Sequence, residues 1–103
     1  MEEKKRRELH ELLCEALGSR NVYFQPPENT RMRYPAIRYQ RYRLEADHAD
    51  NLPYRMAGAY QVTVIDADPD SDIVERVARL PMCRFDRHYA ADNLNHDVFI
   101  IYH

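Results

Sequence analysis

Apolar positions recur along this chain with two periods, and the changes of period mark its elements. Leu9, Leu12, Leu13, Ala16 and Leu17 stand at i, i+3, i+4, i+7 and i+8, one stripe of a helix predicted over residues 2–17. Its first turns, Glu2 to Glu8, carry only charge and are expected to fray or project, because nothing there offsets the ordering entropy. Gly18 follows where a left-handed residue past a helix end belongs. Asn21 to Phe24 is a short extended piece, ended by Pro26 and Pro27, neither of which donates a ladder hydrogen bond. Residues 28–33 are polar and read as a loop. From Pro35 to Tyr42 the chain alternates as a strand, with Ile37 and Tyr39 on one face and Arg38 and Gln40 on the other. Gly58 to Asp66 is the clearest strand: Tyr60, Val62 and Val64 face one way, Gln61 and Thr63 the other.

Between these two strands, residues 43–57 follow neither period and read as a long loop joining an antiparallel pair. Loops of such length are uncommon in compact domains and are often functional. Asp68-Pro69-Asp70-Ser71-Asp72 is a helix start, with an Asp cap, a proline and further acids at the positive end of the dipole. Ile73, Val74, Val77 and Leu80 continue it as an apolar stripe, and Pro81 closes it. Strands follow at 84–90 and 96–102, with Asp92-Asn93-Leu94-Asn95 as the turn. Val98 to Tyr102 is almost continuously apolar, which predicts a strand covered on both faces. The order α-β-β-β-α-β-β predicts an α+β fold: one domain over residues 1–103, with a mostly antiparallel sheet and two helices packed on one face.

Composition narrows the function classes. A chain of 103 residues is one domain's worth. Its net charge of -2 does not indicate a strongly basic nucleic-acid binder. Gly18 and Gly58 are the only glycines, so neither common glycine-rich phosphate loop can be built. Eight tyrosines and no tryptophan suit a protein interface, where a rigid ring with a polar tip binds at low entropy cost. Cys14 and Cys83 make no disulfide framework, and the start of the chain lacks an apolar signal region. The apolar run Val98 to Tyr102 is too short to span a bilayer. A soluble protein of a reducing compartment, with no membrane partner, is the expectation.

Candidate chemistry is sparse. Asp66, Asp68, Asp70 and Asp72 alternate, but an EF-hand loop needs Gly and Glu where Ser71 and Val77 stand, so helix capping accounts for the acids. Cys83, His88, His96 and His103 have spacings that match no common zinc pattern. A nucleophile set of Cys83, His88 and Asp92 lacks an oxyanion turn and a cleft. No catalytic residue, metal site or cofactor is assigned. The stretch 31–43 is more informative. It holds Arg31, Arg33, Arg38, Arg41 and Arg43 with Tyr34, Tyr39 and Tyr42, and no acid. Three readings stand: an interface with the acidic run Asp66 to Glu75 (Asp68, Asp70 and Asp72 foremost) or the acids in 45–50 of an adjacent copy, a single-stranded nucleic-acid strip, or a solvated strand face whose arginine stems cover apolar surface. Unlike patches on one small chain can associate head to tail, and such a contact gives a ring where the rotation closes.

Several segments together carry a resemblance: Asn21-Val22-Tyr23-Phe24-Gln25-Pro26-Pro27-Glu28, Tyr34-Pro35-Ala36-Ile37, residues 60–66, Asp68-Pro69-Asp70-Ser71, Leu80-Pro81, Cys83-Arg84-Phe85-Asp86-Arg87-His88-Tyr89 and residues 92–97. The chain after residue 8 resembles the tail completion, or tail terminator, proteins of long-tailed bacteriophages, with 83–97 the most specific block. The resemblance implies a virion structural protein of the tail and neck rather than an enzyme, assembled in the bacterial host cytoplasm. It implies a homo-oligomeric ring, expected to be a hexamer, at the head-proximal end of the tail. That ring ends tube polymerisation and joins the tail tube protein to the head connector, with nucleic acid present only as the passing genome. A head-to-tail connector or stopper of the neck is the nearest alternative. In that role the 43–57 loop, with Glu45, Asp47, His48, Asp50, Asn51, Leu52, Tyr54 and Arg55, is the expected contact with tube or connector.

Overall fold

A computed structural model describes residues 2–49 and 52–103, and within them the side chains of residues 4–42 and 58–103. The elements run α1 (Glu2–Leu17), β1 (Val22–Phe24), β2 (Ala36–Ala49), β3 (Leu52–Asp66), α2 (Asp72–Ala78), β4 (Cys83–Ala91) and β5 (Leu94–Tyr102). This is the expected α+β fold in the expected order. The five strands form one sheet in the order β1-β2-β3-β5-β4. All pairings are antiparallel except β1 with β2. The apolar strand β5 lies between β3 and β4, as its two-faced apolarity requires.

Both helices cover one face, here called the helical face. Leu9, Leu13, Cys14, Ala16 and Leu17 of α1 and Ile73 and Val77 of α2 pack in one core with Ile37, Tyr39, Tyr60, Val62, Val64, Phe99 and Ile101. Gly18 ends α1 at φ 84°, and its amide donates to the Cys14 carbonyl at 2.8 Å. The Arg76 Nε donates to the Ala16 carbonyl at 2.6 Å, so α2 supplies a partner for an orphan group at the end of α1.

The charged first turns of α1 are not a projection. Arg6 lies over the Phe24 ring, 4.4 Å from its centroid, and donates to the Tyr39 hydroxyl at 3.3 Å. One turn on, His10 Nδ1 meets the same hydroxyl at 2.7 Å. Burial holds the His10 pKa below its ordinary value, helped by the charges of Arg20 and Arg6 and opposed by Glu11. The unfolded chain therefore takes up this proton first as pH falls. The contribution is complete above the ordinary histidine value and is lost as pH drops through the lower folded value. Urea midpoints measured from pH 7.5 down to 5 should fall, and should fall less in His10→Gln; equal slopes would detach this acid sensitivity from His10.

The start of α2 differs from expectation in one detail. Its cap is Ser71, whose hydroxyl accepts from the Ile73 amide at 3.2 Å, not an aspartate. Asp66 and Asp68 instead accept from the amides two residues on, at 3.0 and 2.9 Å, and build the turns that lead into the helix. The last hairpin turns on two residues, Asp92 and Asn93, with φ of 54° and 63°, rather than on four.

The largest departure lies at residues 43–57. Among the described residues the segment is strand, not loop. β2 and β3 continue pairing past the sheet, from Arg43 with Ala59 out to Ala49 with Leu52. β1 reaches only to Tyr39 and β5 only to Ala59, so among the described strands nothing pairs beside this outer hairpin. It is a two-stranded arm, roughly 23 Å long for seven residues per strand, on a molecule of 48 × 24 × 23 Å. The arm leaves the sheet where a bulge falls between Arg41 and Arg43, opposite Tyr60 and Ala59. Bulges bend strands and raise their twist, so the change of course sits where the pairing is irregular.

Candidate functional site

Three surfaces stand out, and the register assigns each side chain to one of them. The first is the sheet face opposite the helices. Across it, Arg38 of β2, Thr63 of β3, Val98 of β5 and Arg87 of β4 are successive partners in one row. The next row is Gln40, Gln61, Ile100 and Arg84, and the previous one is Ala36, Ile65, His96 and Tyr89. Thr63, Ile65, Val98 and Ile100 are buried although both helices pack on the other face. The strip of small and apolar residues is itself covered, and this face meets solvent through the polar side chains around it: Arg38 and Gln40 on one side, Arg84 and Arg87 on the other. Tyr89 stacks on His96 at its end, with centroids 4.6 Å apart and an interplanar angle of 10°.

A bulge in β4 decides which arginines belong to this face. In β4 the register shifts between Phe85 and Arg87, so Arg84 and Arg87 share a face that regular alternation would split. Phe85 takes the helical side and packs edge-on against Phe99, with centroids 5.6 Å apart. Arg87 holds Asp86 at 2.6 Å, whereas Arg38 and Arg84 have no ion-pair partner among the described residues. In β2 regular alternation from Ile37 and Tyr39 puts Arg41 in register with Tyr60, on the helical side, ahead of the bulge.

The arginine strip read from the sequence is therefore corrected. Arg38 lies on the sheet face opposite the helices, here called the bare face because neither helix covers it, and Arg41 on the other. Arg31 and Arg33 are exposed in the segment before β2, where the Arg33 amide donates to the Tyr23 hydroxyl at 3.3 Å. Tyr42 is exposed at the bulge, and the Arg43 side chain lies outside the described residues. Tyr39 is withdrawn as an interface residue: it is fully buried, with its ring against His10, Phe24 and Tyr60. The alternation placed it correctly beside Ile37, and the apolar side of a strand beneath a helix is core.

The second surface is acidic. Asp70, Asp72 and Glu75, at the start of α2, line a cleft of about 260 Å³ together with His88 and Asp97 of the last hairpin. His88 Nδ1 and Asp97 Oδ1 are 2.9 Å apart, a pair across β4 and β5. Asp68, Asp70 and Asp72 are exposed, as an interface requires. The third surface is the arm. Glu45, Asp47 and His48 belong to its β2 strand and Leu52, Tyr54 and Arg55 to its β3 strand, while Asp50 and Asn51 lie outside the described residues. The sequence places them in a loop; those described lie in strands, and Glu45, Asp47, His48, Leu52 and Arg55 have cross-strand partners.

The structure does not assemble the nucleophile or zinc sets considered from the sequence. Cys83 pairs with Ile101 at one end of β4, and His88 with Asp97 further along; His96 stands on the bare face, and His103 follows β5. Burial pushes the Cys83 thiol up to about 11, so it is protonated at neutral pH. Among the described residues no three histidine, cysteine, aspartate or glutamate side chains are grouped to hold a metal ion. Nor is any helix among them long and apolar enough to cross a membrane.

Comparison of the chain with protein-family profiles, curated proteins and solved structures gives no match in any of the three.

Proposed function

We propose that this chain is a structural subunit of a long-tailed bacteriophage, closing the head-proximal end of the tail as a ring of identical copies. The observation that carries the reading is the arm. A two-stranded ribbon extending past its own sheet has no described strand beside either edge, and exposed strand edges are a liability unless another chain meets them. A ring that caps a tube needs such a projection toward the tube and unlike lateral surfaces on each subunit. The bare basic face and the acidic cleft are unlike surfaces of that kind. The segment resemblance, above all 83–97, supports the same role. Its work is assembly rather than turnover, and its partners are its own copies, the tail tube protein and the head connector.

Negative-stain imaging of the purified protein, alone and mixed with tail tubes, tests this. Closed rings, and rings seated at one end of the tubes, are expected. Single subunits in both samples, with bare tube ends, would overturn the reading.

A further inference from the structure

We infer that identical copies join head to tail, the basic bare face of one copy seating Arg84 and Arg87, flanked by Arg38, against the acidic cleft of Asp70, Asp72 and Glu75 on the next. This rests on the ring reading and names the two halves of its lateral contact.

Complementary charge identifies the occupant. The bare face presents arginines from β2 and β4, and Arg38 and Arg84 have no ion-pair partner among the described residues. By strand spacing, Arg38 and Arg87 are about 14 Å apart at the backbone, across a floor two strands wide. Asp86 is the acid beside them and is already held by Arg87 at 2.6 Å. The acidic cleft has the opposite character and a concave form that admits a guanidinium head. Its carboxylates are available for a partner, because the capping work nearby is done by Asp66, Asp68 and Ser71.

The location of the two patches fixes the symmetry class. Asp97 and His88 are on the helical side of the sheet, in register with each other and next to the pair of Arg87 with Val98, which points to the bare side. Basic and acidic patches are thus on opposite faces of the same hairpin. A contact between them uses different surfaces on the two copies and leaves one of each unused, so it propagates until a ring closes. An acidic strip on an unrelated protein would also match the bare face, but the second copy supplies both halves from one sequence.

Two neutralised variants test the pairing without creating new attractions. One carries Arg84→Ser with Arg87→Ser, the other Asp70→Asn with Asp72→Asn; circular dichroism confirms that each folds. Light scattering should show the wild-type chain assembling and each variant self-associating about tenfold or more weakly. An equimolar mixture should give one-to-one heterodimers and nothing larger, since the intact basic face of one variant meets the intact acidic cleft of the other. A mixture that stays monomeric, or variants that assemble as the wild type does, would overturn the assignment. In the latter case rings at tube ends would persist, so the ring reading would survive alone. A wild-type chain that is monomeric and absent from tube ends would sink both. A labelled oligonucleotide that binds the wild type at low salt and not the arginine variant, with self-association unchanged, would assign the bare face to nucleic acid instead.

Discussion

Replacing Tyr39 with alanine is expected to cost about 3–5 kcal/mol of stability, the range for deleting a buried aromatic ring. That is a large share of the roughly 5–15 kcal/mol that holds a small domain together. Tyr39 is fully buried, and its ring lies 5.0 Å from Phe24, 5.6 Å from His10 and 6.1 Å from Tyr60, centroid to centroid. Its hydroxyl also holds α1 down through Arg6 and His10. Tyr39→Phe keeps the ring and removes only the hydroxyl, so it should cost about 0.5–1.5 kcal/mol, the usual net value of a hydrogen bond. Urea titrations followed by circular dichroism measure both. Were Tyr39 an exposed contact between copies, the alanine variant would keep the wild-type midpoint and lose association. That outcome would reverse the assignment made here.

Shortening the arm should do the opposite, sparing the fold and abolishing attachment. Glu45 and Ala57 are paired, so residues 46–56 can be replaced by Asn-Gly and the hairpin closed by a two-residue turn. The core residues of β2 and β3, from Ile37 and Tyr39 to Tyr60, Val62 and Val64, are all retained. The unfolding midpoint should stay close to that of the full chain, and so should ring formation, since the proposed lateral contact uses β4, β2 near Arg38 and the start of α2. The fraction of tail tubes carrying a ring should fall to background in negative stain. Tubes capped as often as with the intact chain would show that the arm does not make this contact.

The two outcomes separate because the arm and the core differ in what surrounds them. That difference also explains why they were unequally legible in the sequence. The strand 35–42 and the strand 58–66 alternate because one side faces helices, and burial writes a period of two into the residues. The arm continues the same two strands beyond the last partner of β5 and β1. With no third described strand beside it, it has no sheet core to demand alternation, so residues 43–57 carry no strand signal and read as a loop.

The candidate site was legible in parts. Exposed acids at the start of α2 were visible as a run, and their capping role was half right: Asp66 and Asp68 build the turns, and Ser71 caps. The arginines were visible as residues but not as a surface. Arg38 and Arg41 fall on opposite sides, and Arg84 and Arg87 join Arg38 only because a bulge at Asp86 resets the alternation of β4. A bulge adds one residue to one strand and reverses the facing of everything after it. Nothing local in Arg84-Phe85-Asp86-Arg87 announces that insertion.

By itself, the sequence determined the helix stripe of α1 and its glycine end, the strand faces of Ile37, Tyr39, Tyr60, Val62 and Val64, and the α+β order, because each of these is set by near neighbours along the chain. Only the tertiary structure decided that β1 runs parallel to β2, that β5 sits between β3 and β4, that Arg6 anchors the charged first turns, and that the basic and acidic patches take opposite faces. Those depend on which strands meet and in what register, a choice made by burial of the whole sheet against two helices and not by any residue's immediate neighbours.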